Sequence, residues 1–265
     1  MLLPRRHYSQ MTAGELSAAR SEKWIAVLPL GAIEQHGPHL PFETDTIIAQ
    51  GVAERVAAQA PASLPFTVLP AEPVGYSVEH MDVEGSRTLA FDEAVNRWTG
   101  IGETLFAQGF RKFLMLNAHG GNSPLMTVVA TELRVRLSML AVATSWTRFI
   151  TPGHGISADE KAFGIHGGQI ETAVMLALRP DLVNMARAAD FPSQQAEHAR
   201  SFTHLRAYGP HAYGWKMSDL NSLGVAGNAA AATPEQGESL LDTAADGIAA
   251  LLGDIHAFNP PWLAA

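Results

Sequence analysis

The stretch from 25 to 45, IAVLPLGAIEQHGPHLPFETD, restricts the possible folds more than any other. It opens on Ile25, Ala26, Val27 and Leu28, an apolar run without alternation, which predicts a strand covered on both faces. Pro29, Gly31 and the pair Gly37-Pro38 break regular structure, so the strand should stop at Leu28 and run into an ordered loop. Within twelve residues that loop carries Glu34, His36, His39, Glu43 and Asp45. Glu34 and His36 are two apart, and in extended backbone such side chains point the same way. A carboxylate and an imidazole then converge on one ion, the ligand mix of zinc, manganese and iron(II) sites. Asp45 offers two oxygens and can bridge two ions. A solvated polar loop would use the same residue types, but the bracketing glycines and prolines argue for an ordered one. His39 is expected behind the ligands, stiffened by Pro38 and Pro41.

The rest of the chain alternates helix and strand. A short helix is predicted over 13–20, with Thr12 as N-cap and Glu15 in its first turn. Ile47, Ile48, Val52 and Val56 have helical spacing, so the acidic loop feeds straight into a helix N-terminus at Thr44 or Asp45. Strands are predicted at 66–69, 112–117 and 140–146, with helices at 92–108 (stopped by Gly109), 123–138 (Pro124 in its first turn) and 169–178. A long polar loop follows Pro70, and residues 150–168 read as glycine-rich loop. Residues 181–232 are aromatic but weakly patterned, and a last helix starts at Thr233 and runs to Leu252. Such alternation implies a parallel sheet with helices on both faces, whose ligands bind at the carboxyl ends of the strands. No linker divides the 265 residues, so one domain, 1–265, is expected.

Composition narrows the chemistry. The net charge of −8 argues against a nucleic-acid or anionic-membrane partner. Zero cysteines remove disulfides, thiolate metal sites and a cysteine nucleophile, so any metal must use His, Asp and Glu. The stretch MLLPRRHYSQMTAGEL is interrupted by Pro4 and polar residues, and no apolar run approaches the ~18 residues of a membrane span. A soluble, cytoplasmic protein is expected.

Two further segments can meet the first at the strand ends. His119 lies in N-A-H-G-G-N after the strand at 112–117. His166 and Glu171 lie in H-G-G-Q-I-E, where the two glycines suggest a mobile loop and Glu171 is held in a helix's first turn. This predicts a dinuclear site of Glu34, His36, Asp45, His119 and Glu171, with His166 as proton carrier rather than ligand. Ser77 and His80, on the loop after Pro70, are candidates for substrate contact. A carboxylate-bridged pair of divalent ions acidifies a water toward neutrality, and an amide nitrogen must be protonated as it leaves, work suited to a histidine.

These motifs resemble those of the creatininase (creatinine amidohydrolase) family. PLGAIEQHGPHLPFETD is similar to its signature, N-A-H-G-G-N to its second motif and H-G-G-Q-I-E-T to its H-A-G-x-x-E-T; G-Y-S-x-E-H at 75–80 and the glycines at 224–227 also fit. The resemblance implies a three-layer α/β/α fold with a mainly parallel sheet, a homohexamer, two zinc or manganese ions per chain (iron possible) and hydrolysis of a C–N bond in a small cyclic amide. It implies that Glu34 and His119 hold one ion, His36 the other, that Asp45 bridges and that His166 shuttles protons. Two departures stand out. Gly121 occupies the place of a glutamate ligand, for which Glu171 is the natural substitute, and Ala162 occupies the place of a substrate-covering tryptophan, which points away from creatinine. Rival readings are relatives that deformylate formamides, trim peptides or open a cyclic ketone, and a metal-binding protein without turnover. The roles of His154, His204 and His211 are left open.

Overall fold

The computed structural model describes residues 5–21, 24–151 and 153–263. Pro4, which interrupts the N-terminal stretch, lies outside them. Four strands, β1 (Ile25–Leu30), β2 (Phe66–Val68), β3 (Lys112–Asn117) and β4 (Leu140–Ser145), form one sheet in the order β2-β1-β3-β4, every pair parallel. Alternate residues of the central strands face opposite layers, and both sets are apolar. Ile25, Val27, Leu114 and Leu116 pack on helices α2 (Thr44–Gln59), α6 (Gln169–Leu178) and α9 (Pro234–Ala257). Ala26, Leu28, Leu30, Phe113 and Met115 pack on α1 (Ala13–Ser21), α3 (Phe91–Ala107) and α4 (Ser123–Leu137). The result is a three-layer α/β/α fold with a parallel central sheet. Among the described residues no helix is long and apolar enough to cross a membrane.

Local chemistry sets the element ends. Thr12 and Glu15 cap α1 reciprocally, and Thr233 with Gln236 does the same for α9. Gly109 takes a positive φ of 101° just past α3, a conformation open to glycine. The final helix continues to Ala257, beyond the expected Leu252. Lys112, buried at the start of β3, donates from Nζ to the carbonyls of Ile255 (2.8 Å) and His256 (2.7 Å) and so caps that last turn.

Three expectations need correction. Pro29 does not end β1: the strand runs through it to Leu30. Its carbonyl accepts from the Glu72 N–H, so its missing N–H faces the edge where β2 has already stopped at Val68, and no ladder bond is lost. The segment 150–168 is not all loop, because Ala158–Phe163 form a short helix, α5, whose Glu160 N–H is capped by the Ser157 hydroxyl at 3.0 Å. The fourth strand stops one residue early, where Trp146 opens a 3-10 turn with its indole buried in the core. In 181–232, β5 (Asp190–Phe191) pairs antiparallel with β6 (Gly227–Asn228), and α7 (Gln194–Ser201) and α8 (Met217–Leu220) lie between them in sequence.

Candidate metal centre

Parallel strands put the loops leaving β1 and β3 at the same end of the sheet. In the order β2-β1-β3-β4 the chain goes to one side after β1 and to the other after β2, so the gap between β1 and β3 is the switch point where α/β sheets bind ligands. The end of β1 abuts the start of α2: a Cβ on Gly31 would lie 2.5 Å from the Thr46 Cα. That approach brings Asp45, in the first turn of α2, over the strand ends. The asparagines of N-A-H-G-G-N act as struts. Asn122 donates to the Gly31 carbonyl (3.1 Å) and to Asn117 Oδ1 (3.0 Å) and accepts the Tyr76 N–H (2.9 Å), while Asn117 Oδ1 accepts the His119 N–H at 3.1 Å. Three loops are thus pinned to one another by two amide side chains that sequence reasoning passed over.

The five expected ligands converge. Asp45 Oδ1 lies 3.1 Å from His36 Nε2, and its Oδ2 lies 3.2 Å from His119 Nδ1. Glu34 Oε1 is 3.1 Å from the same His119 nitrogen, and Glu171 Oε2 is 3.9 Å from His36 Nε2. Donor atoms of Glu34, Asp45 and His119 form one cluster and those of His36, Asp45 and Glu171 a second, each within 4.8 Å. A third set, Glu34, His36 and His166, meets the same limit. Backbone carbonyls orient the rings. His36 Nδ1–H donates to the Glu34 carbonyl (2.9 Å) and His119 Nε2–H to the Tyr76 carbonyl (3.0 Å), so in each ring the other nitrogen faces the carboxylates. His166 Nε2–H donates to the Gln35 carbonyl at 2.6 Å, which turns Nδ1 toward the cluster, 3.6 Å from Glu34 Oε1.

The electrostatics are those of a cation site. Burial alone would lower His36, yet Asp45, Glu171 and Glu34 hold it up at about 9. His119 is likewise raised well above its ordinary value against burial by Glu34 and Asp45. Burial would raise Asp45, but His36 and His119 drive it far below the usual carboxylate range. Glu171 is pushed up by burial to about 7. Protons on two imidazoles therefore partly offset three carboxylates. Both oxygens of Glu34 and Oδ2 of Asp45 are buried without an aligned hydrogen bond; the neighbouring imidazole nitrogens are near but poorly directed. Buried carboxylate oxygens left this way are costly unless a cation takes them. Oxygen and imidazole donors in two triads sharing a carboxylate fit a pair of divalent ions.

His166 is held, not loose. Its backbone pairs with Ala226 in an isolated antiparallel bridge. The glycines after it serve close packing: a Cβ on Gly167, at φ 63°, would lie 2.8 Å from Val225, and one on Gly168 would lie 2.4 Å from Glu160 Oε1. The expected mobile loop is thus a tightly packed one. Burial, then the charge on His36 and His80, keeps His166 well below its ordinary pKa and so neutral. Glu171 Oε2 accepts the Gly167 N–H at 2.6 Å. Glu160, another residue passed over, accepts the N–H of Gln169 (2.6 Å) and of Asn228 (2.7 Å), which ties the start of α6 to α5 and β6.

A cavity of about 340 Å³ opens beside the cluster, lined by Glu79, His80, His119, His166, Tyr208 and Trp215 among others. Of the two expected substrate contacts, His80 lines it, with Nε2 3.3 Å from Glu34 Oε1. Ser77 is fully buried and lies 3.3 Å from His119 Nε2, outside the lining. His39 bonds Thr172 Oγ1 at 2.9 Å and stacks on Phe191, and Glu43 is exposed at the start of α2. His154 bonds Ser239 Oγ at 2.8 Å, and His204 and His211 pair on the surface, away from the centre.

Comparison with known proteins adds four observations. A family profile described as creatinine amidohydrolase matches residues 9–252. The chain is 27% identical over 237 residues to the mycofactocin precursor peptide peptidase of Mycolicibacterium smegmatis, covering 85% of this chain and 83% of that one. It is 29% identical over 242 residues to the creatinine amidohydrolase of Pseudomonas putida, with 85% and 87% covered. Its fold superposes on a manganese form of creatininase with a TM-score of 0.76, at 25% identity, covering 97% of this chain and all of that one (100%).

Proposed function

Because the chain belongs to the creatininase family, whose members include a creatinine amidohydrolase, we propose that it is a metal-dependent amidohydrolase acting on a small cyclic amide, organised as one domain over 1–265. The observation that carries this is Asp45, whose two oxygens face His36 and His119 separately and so join two ligand triads. In this reading Glu34, Asp45 and His119 would hold one divalent ion and His36, Asp45 and Glu171 the other, zinc or manganese, with iron also suited to the donors. When bound, such ions supply an acidified water and polarise the substrate carbonyl.

The chain's own residues do the rest. His166, neutral and fixed through Nε2, presents Nδ1 to the reacting atoms. It takes a proton there from the attacking water and returns it to the departing nitrogen, which cannot leave as an anion. Glu34 and Asp45, sunk below the cavity, place negative charge where the ions must sit.

The test is elemental analysis of chain prepared without chelator, coupled to a screen of cyclic ureides, lactams and formamides. Two ions per chain and turnover of a cyclic amide are expected; one ion or fewer, or two ions with no turnover, overturns the reading. We place the enzyme in the cytoplasm and read it as a homohexamer by family likeness. The exposed Phe202, Leu205 and Leu223 of the 181–232 segment suit burial by a partner subunit. Light scattering of the same preparation at micromolar concentration would contradict this if it gave a monomer.

A further inference from the structure

We infer that the cavity beside the centre is a subsite for a positively charged nitrogen of the substrate, an ammonium or amidinium group, taken by Glu79 against Tyr208 and Trp215. This rests on the hydrolase reading for the identity of what enters the cavity, and on the cavity itself for the charge.

Glu79 is the acid the ligand set leaves over. Its side chain is 15% exposed and lines the cavity. Its cationic neighbour is His119, whose Nε2 lies 3.6 Å away and already gives its proton to the Tyr76 carbonyl at 3.0 Å. No lysine or arginine is among the described residues that line the cavity. A carboxylate so placed keeps its acceptor capacity for whatever enters, and a phosphate or carboxylate on the substrate would meet it with no lysine or arginine on the cavity wall to offset it. The position depends on Gly121: a Cβ there would lie 2.5 Å from Glu79 Oε1, so the absence of a side chain at 121 is what lets Glu79 lie against His119.

The aromatic walls suit the same ligand. Tyr208 spends its hydroxyl on the Ala162 carbonyl (2.7 Å), and Trp215 its indole N–H on the Ala207 carbonyl (2.6 Å). With their donor hydrogens taken by the protein, the rings offer π surface and no free N–H or O–H donor. Aromatic faces beside a carboxylate select cations over neutral isosteres. His119 separates this charge from the ions, since its Nδ1 faces Glu34 and Asp45 while its Nε2 faces Glu79.

Benzamidinium and benzamide, equal in shape and different in charge, test this by calorimetric titration of metal-loaded and metal-free chain. At least tenfold tighter binding of benzamidinium is expected in both forms, falling to within twofold in Glu79→Gln while the ion content is unchanged. Equal affinities in the unaltered chain, or a preference that survives Glu79→Gln, overturn the subsite. Should Glu79→Gln fail to fold, Trp215→Leu decides: a several-fold greater loss for benzamidinium than for benzamide supports the subsite, and an equal loss overturns it. Preference for benzamidinium in a chain that takes up no metal would sink the hydrolase reading and leave the subsite standing. Two bound ions without the preference would do the reverse.

Discussion

The two halves of the site are built differently. The ligand half draws Glu34, His36 and His119 from the ordered loops that leave β1 and β3 and Asp45 and Glu171 from helix first turns, and backbone carbonyls orient the histidines. The cavity half draws Glu79 from a 3-10 turn and Tyr208 and Trp215 from a segment with little regular structure, held by single side-chain bonds to carbonyls. Donor atoms for two ions must be placed to a few tenths of an ångström, which helix starts and loops pinned by buried hydrogen bonds provide. A substrate pocket needs only shape and charge, and loops can vary both without disturbing the ions. In this chain, then, the reaction type belongs to the scaffold and the choice of substrate to the loops.

The sharpest way to break this comparison is to exchange the two roles at residues 166 and 171. His166→Ala should keep both ions and the fold while lowering kcat by about two to four orders of magnitude, the usual worth of a general acid–base group. Glu171→Ala should lose an ion and recover partly in excess metal. Elemental analysis beside steady-state rates separates them; ion loss in the histidine variant with retention in the glutamate variant would make His166 a ligand, as the proximity of Glu34, His36 and His166 allows.

A second, smaller effect concerns protons that stand in for ions. In metal-free chain His36 is raised from 6.5 to about 9, so the stability it lends is complete below about pH 6.5 and is lost as pH rises through about 9. Glu171, raised to about 7, acts in the same direction, because the folded state favours its protonated form. His36 alone then contributes on the order of 3 kcal/mol, and the melting temperature of metal-free chain should drop by several degrees between pH 6.5 and 9.5. Loaded chain should show little of this slope, since the ions displace the protons. Parallel slopes in the two forms would mean that the ligand half is not where the ions bind.

The smallest effect lies at the border of the halves. Glu160→Gln puts an NH₂ group where one of two backbone donors, Gln169 N–H or Asn228 N–H, now has a carboxylate oxygen. Loosening the start of α6 by that route should weaken retention of the second ion about tenfold, within the range for residues supporting ligands. Competition against a chelator would measure it, and unchanged retention would show that Glu171 is held by α6 alone.

Much of the scaffold that brings these side chains together could be read from the amino acids. The apolar runs of β1 and β3 are covered on both faces, the cap at Thr233 is formed, and α6 begins at Gln169 and ends at Leu178 as the pattern indicates. Glu34, His36 and Asp45 are close in sequence, so their convergence is largely local. Pro29 misled because the cost of a missing N–H depends on which neighbouring strand it faces, a tertiary fact. The helix α5 carries a legible start, Ser157 followed three residues later by Glu160, but glycines on both sides masked it, and Glu160 turns to α6 instead of its own cap. Glu79 was illegible as a binding residue because its companions, His119, Tyr208 and Trp215, come from distant segments without periodicity.

The struts at Asn117 and Asn122 bear on the order in which this molecule comes into being. Glu34, His36 and Asp45 are made early, His119 some seventy residues later, and Glu171 only after a further fifty. No growing chain that stops short of α6 contains the full donor set, and α6 itself leans on α9 near the far end, where a Cβ on Gly237 would lie 1.9 Å from the Ala173 carbonyl oxygen. The two asparagines close the first of these gaps without any ion, by joining the end of β1, the Tyr76 loop and His119 through hydrogen bonds of their side-chain amides. The polypeptide thus holds these three loops together with its own hydrogen bonds before the last of the clustered side chains, Glu171, has been made.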